Sequence, residues 1–107
     1  MSGGIRLLDK VRQGIDESLA YSDTTTANGS SPTNITVVVY DMLKTSVDDW
    51  VDVTDEVLED GAASVVGDVI TLPRIGSLTA SHRYRVEIQY TVGGNTFEDY
   101  FIIIAET

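Results

Sequence analysis

Residues 83–104 constrain this chain more than any other stretch. Tyr84, Val86, Ile88, Tyr90 and Val92 alternate with Arg83, Arg85, Glu87, Gln89 and Thr91, the period-two pattern of a strand with one buried and one wet face. Gly93-Gly94-Asn95 follows, then Thr96-Phe97-Glu98-Asp99-Tyr100-Phe101-Ile102-Ile103-Ile104, and together these predict a β-hairpin. The two-residue loop is either Gly93-Gly94 or Gly94-Asn95. Both choices pair even-numbered residues of the first strand with odd-numbered residues of the second, so Tyr84, Val86, Ile88, Tyr90 and Val92 share a face with Phe97, Phe101 and Ile103. The opposite face sets Tyr100, Ile102 and Ile104 beside Arg83, Arg85, Glu87 and Gln89. Such a mixture is unusual for a surface that meets only water, and a cover is expected there, either the N-terminal segment of the same chain or another subunit.

A chain of 107 residues fits one domain and can build one core. It has no cysteine, so packing must supply the stability that disulfides or thiolate metal sites give elsewhere. The first residues, Met1-Ser2-Gly3-Gly4-Ile5-Arg6, lack the apolar stretch of a signal peptide. The run from Phe101 to Ala105 is too short to span a bilayer. The expectation is a chain made in the cytoplasm, not exported by the general route and not in a membrane. The formal net charge is −10, and nine of the seventeen acids lie between Asp41 and Asp68. Nucleic acid is a poor partner for such a surface, because phosphate contacts require cations. Arg6, Lys10 and Arg12 give the N-terminal end the opposite character, which can orient neighbouring subunits; the simpler reading is that the acids keep the domain soluble.

Ile5, Leu8, Val11, Ile15 and Leu19 recur at spacings of three or four and would form one stripe on a helix. Gly14 weakens that helix by ~1 kcal/mol relative to alanine. An extended arm anchored by Leu7, Leu8 and Val11 is the alternative, and it packs on its own sandwich or on another subunit. Leu19-Ala20-Tyr21 predicts a short strand, and residues 22–34, rich in Ser, Thr, Asn and Gly, a loop. Ile35-Thr36-Val37-Val38-Val39-Tyr40 reads as a central strand buried on both faces. Asp48-Asp49-Trp50-Val51-Asp52-Val53-Thr54 alternates like a strand, and Thr54-Asp55-Glu56 resembles a helix start with a capping threonine, good for a single turn. Ala63-Ser64-Val65-Val66 and Val69-Ile70-Thr71-Leu72 flank Gly67-Asp68 as a second hairpin, which Pro73 ends.

Little in the chain carries chemistry. His82 is the only histidine and is expected on an exposed corner, and a nucleophilic relay needs a base oriented by a third group. The acids Asp48, Asp49, Asp52, Asp55, Glu56, Glu59 and Asp60 invite a calcium reading, but their spacing is not that of an EF-hand loop. A solvated acidic face is the better account. No catalytic residue, cofactor site or metal site is assigned, and the chain is not expected to be an enzyme.

The Leu78-to-Tyr84 spacing resembles the corner of immunoglobulin-like and fibronectin-like sandwiches, where a tyrosine hydroxyl bonds back to the crossover backbone. More broadly, residues 19–106 resemble the small immunoglobulin-like structural proteins of tailed bacteriophages. The resemblance rests on Leu19-Ala20-Tyr21-Ser22-Asp23, the Ser/Thr/Gly loop, Val66-Gly67-Asp68-Val69-Ile70-Thr71-Leu72, Leu78 with Tyr84-Arg85-Val86, and Tyr90-Thr91-Val92-Gly93-Gly94-Asn95-Thr96 leading to Ile102-Ile103-Ile104-Ala105-Glu106. Ser81-His82 departs from it, standing where such domains often place a glycine. The resemblance implies an all-β, immunoglobulin-like antiparallel sandwich over residues 19–107, preceded by an arm or short helix over residues 1–18. It also implies a fibre-to-tail adaptor or capsid cement/decoration protein, located in the virion, bound to capsid, tail or fibre subunits and assembled as a homo-oligomer in symmetric copies. Ile5, Leu7, Leu8, Val11 and Ile15 of the N-terminal segment, with Tyr100, Ile102 and Ile104 of the outer stripe, are the candidate partner-binding residues. The rival reading is a carbohydrate- or receptor-binding sandwich that uses Tyr21, Tyr40 and Trp50 as stacking faces.

Overall fold

A computed structural model describes residues 5–42, 50–59 and 61–107, with side chains described from Lys10 onward. Among the described residues eight strands form two sheets: β1 (Ile5–Gly14), β2 (Ser22–Thr24), β3 (Thr33–Asp41), β4 (Val51–Asp52), β5 (Ser64–Val66), β6 (Val69–Thr71), β7 (Arg83–Val92) and β8 (Asn95–Glu106). The five-stranded sheet runs β1-β8-β7-β3-β4 and the three-stranded sheet β2-β6-β5. The described residues form an all-β sandwich with a single turn of helix, α1 (Thr54–Val57).

The β7–β8 hairpin forms the centre of the larger sheet. Val92 pairs with Asn95, so Gly93-Gly94 is the loop, and both glycines have positive φ (56° and 84°), as a turn that follows strand twist requires. Tyr84 lies opposite Ile103, Val86 opposite Phe101 and Tyr90 opposite Phe97, and all of these side chains are buried. This face packs on Ile70 of the smaller sheet and on Leu72 just beyond it, with Val39, Val57, Ile75 and Leu78 completing the core. The second hairpin closes through Gly67-Asp68, with Val66 opposite Val69. At the corner before β7, the Thr79 N–H donates to the Tyr84 hydroxyl at 2.8 Å. Ser81 holds the left-handed conformation, with φ at 69°.

The helical alternative for the N-terminal segment is corrected. β1 is extended and pairs in parallel with β8, from Ile5 opposite Glu98 to Gly14 opposite Glu106. A register shift between Leu7 and Lys10 inserts an extra residue, so strict alternation is lost and the apolar spacing imitates a helix. Gln13, 1% exposed, fixes the strand from inside. Its Nε2 donates to the Ile75 carbonyl at 2.7 Å, and its Oε1 accepts from the Tyr21 hydroxyl at 2.6 Å.

Three further expectations shift. The first short strand is Ser22–Thr24, inside the predicted loop; Leu19 contributes an isolated bridge to Ile75 instead. β3 is not buried on both faces: only Val39 of its central apolar run is fully buried, and Ile35, Val37 and Val38 are half-buried. It lies second from the sheet edge and meets β4 only at Tyr40 and Asp41. Thr54 is the first helical residue, with Val53 at the cap position. Its hydroxyl donates to Asp52 and accepts from the Val39 N–H, so it ties β3 to α1. Of the predicted strand and acidic stretch around these residues, Asp48, Asp49 and Asp60 lie outside the described residues.

Candidate functional site

The strand register assembles the outer face of the larger sheet in rows. Lys10, Ile102, Arg85, Tyr40 and Asp52 form one row across five strands, and Tyr100, Glu87 and Val38 form the next. Arg12, Ile104 and Arg83 flank the first row, and Glu98, Gln89 and Thr36 flank the second. Arg85 is the organiser. Its guanidinium lies 3.7 Å from the Tyr100 ring centroid and 5.5 Å from that of Trp50, while its Nε donates to Glu87 at 2.7 Å. Trp50 in turn packs on Tyr40, with centroids 6.0 Å apart. The Tyr40 hydroxyl has a raised pKa, first from burial and then from the nearby carboxylates of Glu87, Asp52 and Glu98.

These contacts explain how an aromatic and aliphatic face survives beside charged residues. Arg85 lays its planar cation and its stem over Tyr100, an arrangement available to arginine and less so to lysine. Ile102 is 8% exposed, and Tyr100 and Ile104 are half-buried. β1 lies beside β8 in the plane of the sheet, so the strand from Ile5 to Gly14 does not cover this face. Tyr100, Ile102 and Ile104 are therefore brought together, as predicted. Val11 and Ile15 are not with them: both pack against the core of their own chain. Ile5, Leu7 and Leu8 belong to the backbone of β1, and their side chains lie outside the description.

The stacking trio of the rival reading is divided. Tyr40 and Trp50 share the outer face, whereas Tyr21 packs on Phe101 with centroids 5.0 Å apart and turns its hydroxyl to Gln13. They do not form one platform.

His82 is corrected from an exposed corner residue. It is half-buried, its ring stacks on Tyr84, and its Nδ1 lies 2.8 Å from Oδ2 of Asp41. The sequence offered no signal for this pair, because Asp41 and His82 are 41 residues apart and only the β3–β7 register joins them. A carboxylate that orients an imidazole is two-thirds of a nucleophilic relay. The contact ties the end of β3 to the corner before β7.

Two acids inside the sandwich were also missed. Asp23 and Asp99 are each 1% exposed, and Asp99 sits on the core face between Phe97 and Phe101, where strand alternation alone places it. The Tyr90 hydroxyl donates to Asp99 at 3.2 Å and accepts from the Asn28 amide at 2.7 Å. An open depression of about 460 Å³ is lined by Asp55, Glu56, Val57, Leu58, Glu59 and Ser77. Among the described residues no group of three or more His, Cys, Asp or Glu side chains could hold a metal ion, and no helix is long and apolar enough to cross a membrane. Comparison with known proteins finds no family model that matches the chain and no match among the curated proteins.

Proposed function

We propose that this chain is a non-enzymatic structural protein of a tailed-bacteriophage virion, an immunoglobulin-like adaptor or cement/decoration module that binds capsid, tail or fibre subunits. The observation that carries the reading is the outer face of the larger sheet. Tyr, Trp and Arg are the residue types that dominate binding energy at protein interfaces, and here Tyr40, Trp50, Arg85 and Tyr100 stand together on a surface next to Ile102 and Ile104. The sequence resemblance over residues 19–106 supplies the class of assembly. The strand order fits an immunoglobulin-like arrangement, as does the hydrogen bond from Thr79 to Tyr84 at the corner.

The test is the composition of purified particles. Antibodies raised against the chain should label intact virions, and the chain should stay with the particles through density-gradient banding. A chain recovered only in the soluble fraction of the infected lysate overturns the proposal.

A further inference from the structure

We infer that the outer face of the five-stranded sheet is a two-fold interface between two copies of this chain, related by an axis that runs across the strands. This inference is independent of the virion assignment. It rests on how the register distributes charge.

Among the described side chains, four cations on this face, Lys10, Arg12, Arg83 and Arg85, meet four anions, Asp52, Glu87, Glu98 and Glu106, so their charges cancel although the chain carries −10. Arg12 is paired with Glu106, and Arg85 with Glu87. Elsewhere the described surface is acidic: Asp16, Glu17, Asp55, Glu56, Glu59 and Asp68 are opposed there by Arg74. Two copies of a strongly acidic protein repel each other, and the neutral, aromatic face is where that repulsion is weakest.

The charges are also ordered along the strands. The four cations occupy the rows of Ile104 and Ile102, where Asp52 in the Ile102 row and Glu106 beyond Ile104 leave that end with a net +2, whereas Glu87 and Glu98 give the rows of Tyr100 and Glu98 a net −2. A two-fold axis across the strands, between the rows of Ile102 and Tyr100, reverses this order in the facing copy. Arg85 then lies opposite Glu87 of the second copy, Ile102 opposite its Tyr100, and Arg83 opposite its Gln89 with Glu98 one strand away. Each contact occurs twice, as an isologous interface requires. An axis along the strands would instead set the cationic rows against each other. Charge complementarity thus selects both the occupant and the geometry.

The full chain should sediment as a monomer–dimer equilibrium with a dissociation constant below about 1 mM. Arg83→Glu and Glu98→Arg should each weaken it about tenfold or more. The Arg83→Glu/Glu98→Arg double variant should recover most of the loss, which a folding defect would not. Because the chain has no cysteine, thiol cross-linking supplies a second readout. Facing sheets lie about 10 Å apart, within reach of a short bis-maleimide, whereas residues 83 and 89 of one strand are about 20 Å apart. The Arg83→Cys/Gln89→Cys variant should therefore be joined by that reagent into a covalent dimer, and each single variant should be joined poorly. A chain that stays monomeric at about 1 mM overturns the inference. So does a dimer indifferent to both charge reversals, or equal cross-linking by the Arg83→Cys variant alone.

Discussion

The two faces of the β7–β8 hairpin come from the same two strands and are held by different physics. The inner face excludes water: Tyr84, Val86, Ile88, Tyr90, Phe101 and Ile103 are at most 4% exposed. The outer face has similar bulk in Tyr100, Ile102 and Ile104, but Arg85 shields it while keeping its charge satisfied by Glu87. The difference teaches that apolar content alone does not mark the core of a sheet. One face is stabilised by burial between layers and the other by stacking within a layer. The first is committed to folding, and the second keeps surface that a partner can use.

The largest expected effect sharpens that contrast. Ile88→Ala removes a side chain with no exposed surface from the middle of the inner face. It should cost about 2–5 kcal/mol in urea unfolding, through lost burial plus the cavity left behind. That is a large share of a typical domain's stability of roughly 5–15 kcal/mol. A cost near that of an exposed-site change would show that the inner face is not a tightly packed layer.

Next comes Tyr90→Phe, which keeps the ring in the core but removes the hydroxyl shared by Asn28 and Asp99. The expected cost is about 1–3 kcal/mol, since a buried carboxylate loses a donor. Burial is the main cause that raises the Tyr90 pKa above its ordinary 10.0, with Asp99 adding to it. The unfolded state therefore releases this proton first, and the tyrosine's contribution declines as pH rises past 10.0. Wild type and variant should converge on the alkaline side. A gap that stays constant to higher pH would show that the hydroxyl is not protected by the fold.

Much of this comparison was legible in the sequence, and the reasons are physical. Strand alternation is local, so the inner and outer faces of 83–104 followed from parity in either two-residue register, and the Gly67-Asp68 hairpin followed from turn chemistry. Asp99 was missed although it has the parity of Phe97 and Phe101, because its charge argued against the core. The β1 strand was obscured because its register shift breaks alternation, and because parallel pairing with β8 depends on a partner some ninety residues later. Arg85 over Tyr100, and Asp41 beside His82, are contacts across strands that no spacing along the chain encodes.

Arg85→Ala tests the outer face directly. It removes the cation from between Tyr100 and Trp50 and leaves Glu87 without that partner. Thermal unfolding should report a loss of about 1 kcal/mol, the usual scale for a partly desolvated cation–π contact together with its stem packing. Trp50 fluorescence should shift as the ring becomes more hydrated. A loss as large as that of Ile88→Ala would erase the distinction between the faces, because it would make Arg85 as central to folding as the core.

The smallest expected effect lies at the edge of the outer face. Asp52 accepts from both the Thr54 N–H (3.0 Å) and the Thr54 hydroxyl (2.7 Å), and these bonds hold its pKa below the ordinary 3.8. A carboxylate depressed in the folded state adds stability that is fully present above pH 3.8 and is lost as pH falls through the lower folded value. Asp52 is exposed, so solvent screening limits the effect, and Asp52→Asn should cost only a few tenths of a kcal/mol near neutral pH. That small gap should close in acid. If it persisted unchanged throughout the acid range in which the chain stays folded, the loss would come from the geometry of the β4–α1 connection and not from the charge. Asp52 would then belong with the neutral contacts that shape the outer face, leaving Arg85 and its carboxylate partner as the electrostatic part of it.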